Sequence, residues 1–248
     1  MVINIHEKET QAKTSSSWDD ILNFQNQLSD EEQILQSSVK SYCRDKLLPR
    51  IVSDNRHENF DKSIFTEMGK LGILGSYLNG YGCAGSNFVS YGLIAREIER
   101  IDSAYRSIMS VQTSLVMLPI YKFGSEDQKQ EYLPGLASGE LIGCFGLTEP
   151  DAGSDPSSMK TNAVKVKGGY LINGTKTWIS NAPHADVAIV WAKDENNRIK
   201  GLIVERGMEG FETPEMHGKH SLRASATGEL IFNNVKVPKE NLLPKKDG

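Results

Sequence analysis

Two short stretches carry most of the chemistry this chain offers. The first is C-F-G-L-T-E-P-D-A-G-S-D, Cys144 to Asp155, which sets two hydroxyls (Thr148, Ser154) and three acids among a proline and two glycines. Backbone N–H groups and hydroxyls in a loop shaped by Gly and Pro suit a polar, anionic ligand. The second is N-G-T-K-T-W-I-S-N, Asn173 to Asn181, with the Trp178 indole two residues from the Ser180 hydroxyl. An indole beside a hydroxyl suits a flat heteroaromatic ring with hydrogen-bonding edges. Each stretch alone also reads as an ordinary Pro-containing turn or a buried strand.

A third set is Glu99, Arg106 and Ser110, seven and four residues apart. That spacing predicts one stripe of a single helix. Arg is the suitable group for holding a carboxylate through two parallel hydrogen bonds. The plainer alternative is a solvated Glu–Arg helix face. No metal box is visible. Of the five histidines only His217 and His220 lie close together, with no third ligand nearby. No G-x-G-x-x-G follows a strand, so a Rossmann nucleotide site is not indicated. Glu149 reads as a turn-forming residue rather than a base. Arg223 is open to either an anionic ligand or a surface role at a strand edge.

Composition narrows the class. A net charge of −4 with both signs scattered argues against a nucleic-acid surface. No apolar run is long enough to span a membrane. Cys43, Cys83 and Cys144 are three in number and widely spaced, which fits buried thiols in a reducing compartment. The first sixteen residues lack the apolar core of a signal peptide and the acid-poor, Arg-rich character of a transit peptide, so a flexible start (1–25) and a cytoplasmic location are expected.

The elements that must position these residues fall into two blocks. Before Gly143 the pattern is helical. Ser29 to Glu32 is a capping box, and Ile34, Leu35, Val39, Tyr42, Leu47 and Leu48 then recur at three-to-four spacing until Pro49 ends or kinks the helix. Asp61 to Leu74 predicts a helix closed by Gly75. A glycine-rich loop (79–86) precedes one or two long helices over 88–123, interrupted near Pro119. A second capping box at Ser125 opens a short helix before Pro134. After Gly143 the period becomes two. Ala163 to Lys167 and Tyr170 to Ile172 form a hairpin across Gly168-Gly169, and further strands are expected at 187–192, 199–205, 229–232 and 235–237. The reading is α+β: an all-α helical domain (26–142), then an antiparallel β-barrel or sandwich domain (143–248).

Together T-E-P-D-A-G-S-D and W-I-S-N resemble the flavin-binding signature of the acyl-CoA dehydrogenase family. The resemblance runs from about Ile34 to Leu243. The stretches E-R-I-D-S-A-Y-R-S-I-M-S-V-Q (Glu99 to Gln112), G-S-E-D-Q-K-Q-E-Y-L-P (Gly124 to Pro134) and S-L-R-A-S-A-T-G (Ser221 to Gly228) are similar to its glutaryl-CoA branch. The resemblance implies FAD bound by Phe145, Gly146, Leu147, Thr148, Gly153, Ser154, Trp178, Ile179 and Ser180. In that picture Thr148 meets the pyrimidine end of the ring, Ser154 lies near the pyrophosphate and toward substrate, Trp178 packs on the ring and Ser180 sits near N5. It implies that Arg106, with Ser107 and Ser110, holds the distal carboxylate of glutaryl-CoA, with Glu99 beside them. It further implies α,β-dehydrogenation with loss of CO2, electron-transfer flavoprotein as electron acceptor, and a homo-oligomer in the full-length form. In the family a second helical domain follows the β domain and brings the catalytic carboxylate. No catalytic base is therefore expected within these 248 residues, and the chain alone is expected not to turn over. Alternatives are a dehydrogenase for another acyl-CoA and a non-catalytic FAD- or CoA-binding module.

Overall fold

The computed structural model describes residues 21–244. The expected flexible start lies, as far as residue 20, outside the described residues, and Phe24–Gln27 make a 3-10 turn. Helix α1 (Asp30–Tyr42) opens on the expected reciprocal cap. The Glu32 N–H donates to the Ser29 hydroxyl and the Ser29 N–H to the Glu32 carboxylate, 3.3 and 2.9 Å. Val39, Tyr42 and Leu47 turn inward as the spacing predicts, but Ile34 and Leu48 are 70% and 51% exposed.

Proline does not end the helices. A π-helical stretch, Cys43–Leu47, carries α1 directly into α2 (Leu48–His57), and Pro49 sits in the first turn of α2. The wider i→i+5 pattern before the ring accommodates the N–H that proline lacks. The same arrangement recurs where α5 (Ser103–Ser110) passes through a π-helical stretch, Val111–Met117, into α6 (Leu118–Phe123) with Pro119 at its start. The break expected near Pro119 lies instead at 100–102, after α4 (Phe88–Glu99). There Asp102 is extended and its carboxylate accepts the Ala104 N–H at 2.7 Å, an N-cap that starts α5 afresh.

Two other boundaries move. Helix α3 (Ser63–Lys70) is shorter than expected, because Gly72 at φ 68° closes it before Gly75 is reached. Helix α7 (Glu126–Ser138) runs through the exposed Pro134. The glycine-rich loop holds a minimal hairpin, β1 (Asn79–Gly80) and β2 (Cys83–Ala84).

The second block is one curled sheet, in spatial order β3 (Gly143–Gly146), β6 (Val187–Lys193), β4 (Asn162–Val166), β5 (Gly169–Ser180), β9 (Thr227–Pro238) and β8 (Phe211–Glu212), with β7 (Ile199–Glu205) also paired to β6. It is mostly antiparallel, but β3 and β4 both pair with β6 in parallel. The expected strands at 229–232 and 235–237 are one strand, and the start of the expected 144–155 loop is a strand.

Strand β6 shows how the blocks are joined. Val187 and Ile189 face the helices, packing with Val116, Ile120 and Leu133. Ala188 and Val190 face the other side, with Ile172, Leu202 and Leu230. Burial on both faces explains why this strand reads as a continuous apolar run. Gln112 ties the blocks by hydrogen bonds: its carbonyl accepts the Gly143 N–H (2.8 Å) and its amide donates to the Leu136 and Leu141 carbonyls (3.0 and 2.7 Å).

Candidate functional site

The loop leaving β3 and the end of β5 are stitched together. At Gly146 an added Cβ would meet Leu230 Cδ1 at 2.7 Å and Lys176 Cγ at 3.3 Å, so a larger residue there would push aside side chains of β9 and β5. Beyond it, Glu149 and Ala152 exchange two backbone hydrogen bonds (3.1 and 3.2 Å), closing the T-E-P-D-A turn. The Thr177 N–H then donates to the Thr148 carbonyl at 2.9 Å.

That bond leaves the β5–β9 ladder one residue out of step. Lys176 pairs with Leu230 and Ile179 with Gly228, so β5 holds one residue more than its partner. The extra residue makes a bulge that bends the strand and re-aims its side chains. Trp178 takes φ 59°, a left-handed conformation costly for a bulky side chain, and its indole stands 65% exposed. It lines a cavity of about 710 Å³ with Ser180, Ser225, Thr227 and the loop from Met216 to Leu222.

The other expected ligand-binding residues are distributed around this point. Ile179 is buried beneath the bulge. Leu147 and Thr148 are half-buried on the loop. Gly153 and Ser154 are exposed farther along it, outside the lining of the Trp178 cavity. Phe145 turns toward the helices and packs edge-on against Trp191, centroids 6.1 Å apart.

Under the bulge lies a buried ion pair. The Lys176 ammonium is fully buried and meets the Glu149 carboxylate at 2.8 Å, with the Glu149 side chain 5% exposed. The ammonium also donates to the Leu147 carbonyl (3.1 Å), while the carboxylate accepts the Lys160 and Thr161 N–H groups at 2.6 and 3.0 Å. Burial pulls the Glu149 carboxyl upward, but these donors outweigh it and hold it at about 2. Burial pulls Lys176 downward against the support of Glu149.

Glu99, Arg106 and Ser110 meet, although not as one helical stripe. Glu99 ends α4, whereas Arg106 and Ser110 belong to α5, and the turn at 100–102 brings them together. Arg106 Nε donates to Glu99 at 2.7 Å and Nη1 to the Ser110 hydroxyl at 3.0 Å. Ser103 also donates to Glu99, and these two partners, the hydroxyl foremost, lower the Glu99 carboxyl. The second terminal nitrogen, Nη2, has no hydrogen-bond partner among the described residues. Ser107 contributes through its carbonyl, which accepts the Ser110 hydroxyl at 3.1 Å.

Comparison with known proteins accounts for both blocks. Residues 29–140 match the model for "Acyl-CoA dehydrogenase, N-terminal domain" and residues 144–235 the model for "Acyl-CoA dehydrogenase, middle domain". The chain belongs to the acyl-CoA dehydrogenase family. An acyl-CoA dehydrogenase of Bacillus subtilis is 40% identical over 221 residues, 87% of this chain and 58% of that protein. A glutaryl-CoA dehydrogenase from Mycobacterium smegmatis, solved in complex with FADH2, superposes with a TM-score of 0.90 at 44% identity, covering 92% of this chain and 59% of that one. A glutaryl-coenzyme A dehydrogenase solved as its glutaryl-CoA complex superposes with a TM-score of 0.84 at 36% identity, covering 88% and 57%. The chain thus spans under three fifths of the length of these relatives.

Within this dehydrogenase fold Arg223 is not free for a ligand. Its guanidinium donates to the Asn55, Arg56 and Lys219 carbonyls and pairs with Glu58 at 3.0 Å. Glu58 also accepts the Gly218 and Lys219 N–H groups, so one acid–base pair holds the cavity loop against the end of α2. His217 and His220 line that cavity, and no cluster of three metal-ligating residues occurs among the described residues. Sequence reasoning passed over Lys176 and Gln112, and it read Glu149 as a turn former without its buried charge pair. A signal existed for Lys176: it shares the parity of the buried Ile172 on β5, and a lysine facing a core requires a counter-charge.

Proposed function

We propose that this chain binds FAD at the Thr148–Trp178 junction and serves α,β-dehydrogenation of an acyl-CoA thioester. The residues fit such a ring. An exposed indole is held at an unfavourable backbone angle beside hydroxyls and a large cavity, and its aromatic face is offered outward rather than packed. Trp178 supplies the face, Ser180 and Thr148 supply hydroxyls for the ring edges, and Ser154 sits on the exposed loop toward the phosphates. When bound, the flavin supplies the hydride acceptor. The protein's share is to hold the ring, exclude water from one face and place donors before charge develops.

For substrate we propose glutaryl-CoA, oxidised and decarboxylated to crotonyl-CoA, with electrons leaving through an electron-transfer flavoprotein. Arg106 would hold the distal carboxylate through Nη2, with Ser107 and Ser110 beside it. Glu99 keeps the guanidinium oriented in the absence of substrate. A second reading, another short acyl-CoA, is favoured by the same contacts, because Glu99 and Ser110 already engage two of the three guanidinium nitrogens. None of the described residues is assigned as the α-proton base, and we expect the 248-residue chain alone to take up flavin without turning over.

The observation that carries the reading is the Thr177–Thr148 hydrogen bond, which sets the hydroxyl-bearing turn against the indole. The test is visible flavin absorbance of the purified chain after incubation with FAD, then ligand titration. Retained flavin perturbed by glutaryl-CoA more strongly than by butyryl-CoA supports both parts. A colourless protein sinks the first, and equal response to both thioesters sinks the second.

A further inference from the structure

We propose that Glu149 and Lys176 are positioning residues whose buried pair fixes the register of the bulge carrying Trp178. This rests on reading that bulge as the grip on the ring. Two consecutive residues of β5 reach across to two consecutive carbonyls of the loop: Lys176 Nζ to Leu147 and the Thr177 N–H to Thr148. The Lys176 side chain cannot leave this side of the strand, since its ammonium has the Glu149 carboxylate, the Leu147 carbonyl and the Met159 sulfur as neighbours. Glu149 is fastened in turn by the Lys160 and Thr161 N–H groups at the entry to β4. The pair therefore joins three segments at the residue just before the register shift.

Energetics point to positioning rather than stability. A buried ion pair can often be replaced by apolar groups without loss of stability, and its better-attested use is to specify one arrangement over others. The competing arrangement here is concrete. Without the lock, the Thr177 N–H is free to rejoin the β9 ladder. Loss of the extra residue from the register moves every following side chain to the opposite face. Trp178 would then leave its exposed, left-handed position.

The test uses the 248-residue chain labelled with 5-fluorotryptophan and no added cofactor, the Trp178 and Trp191 fluorine resonances being assigned with Trp178→Phe and Trp191→Phe. The double variant Glu149→Gln/Lys176→Met removes both charges without stranding either. The expected result is a shifted or split Trp178 resonance, an unmoved Trp191 resonance, and FAD affinity lower by about tenfold or more. Glu149→Gln alone, nearly isosteric, is read the same way should the double variant not fold. An unchanged Trp178 resonance in a folded variant overturns the proposal. A moved resonance in a protein whose parent takes up no FAD upholds the lock and overturns the cofactor reading instead.

Discussion

The Trp178 bulge and the Arg106 cluster use the same chemical elements, a carboxylate, a cation and nearby hydrogen-bonding groups, at opposite degrees of burial. Lys176 and Glu149 are 0% and 5% exposed, and the other groups that hydrogen-bond them are the Leu147 carbonyl, the Lys160 and Thr161 N–H groups and the buried Met159 sulfur. Arg106 and Glu99 are 38% and 44% exposed. Coulomb attraction at equal separation is several times stronger in the drier setting. The first pair is therefore a lock with one arrangement. The second is a weak, solvated pair that can exchange partners with an incoming carboxylate at little cost. That division would suit the proposed function, with one invariant ring at the first and one acyl tail at the second.

The comparison can be broken most directly at the lock. Lys176→Met alone leaves Glu149 buried and unpaired, and should cost about 3–5 kcal/mol in urea unfolding, against a much smaller cost for the double variant with Glu149→Gln. If the single variant is as stable as the double, the burial argument is wrong. The lock should also fail in acid. The Glu149 carboxyl is held at about 2, below its ordinary 4.5, so its stabilisation is present above about 4.5 and is lost as pH falls toward 2. The loss should approach roughly 3 kcal/mol, and Glu149→Gln should flatten that limb of the stability–pH curve.

The exposed cluster should show the opposite profile. Arg106→Ala should change unfolding stability by less than about 0.5 kcal/mol. Yet it should weaken glutaryl-CoA binding by about 2 kcal/mol while sparing butyryl-CoA, in a calorimetric titration of the flavin-loaded chain. Equal weakening of both thioesters would return Arg106 to a structural role. Between the two extremes stands Trp178→Gly. It removes little buried surface and relieves the left-handed backbone, so stability should stay within about 1 kcal/mol of the parent while flavin retention falls. The smallest effect is expected for Glu99→Gln, at most about 1 kcal/mol of stability, read as a slight loosening of glutaryl-CoA binding.

Much of this was legible in the sequence where a local interaction decides the outcome. The reciprocal caps at Ser29 and Ser125, the Gly168-Gly169 hairpin and the strand at 199–205 depend on residues a few positions apart, and all appear as read. The acyl-CoA dehydrogenase family itself was legible in T-E-P-D-A-G-S-D and W-I-S-N. The helix ends were less so. Proline rules read Pro49, Pro119 and Pro134 as stops, but π-helical stretches absorb the first two and α7 runs through the third on its exposed side. The Glu99–Arg106–Ser110 meeting was anticipated for the wrong reason, since the helix breaks at Asp102 and the turn supplies the proximity.

The chain by itself determined which groups were available: an indole, hydroxyls on a Gly/Pro turn, a guanidinium with an acid near it, and a switch of period at Gly143. Those follow from residue type and short-range spacing. Only the tertiary structure decided that Lys176 would be buried against Glu149, that Thr177 would spend its N–H on Thr148, and that Trp178 would thereby stand out of the sheet. These outcomes join segments about thirty residues apart, and burial sets their strength, a quantity that no local pattern carries.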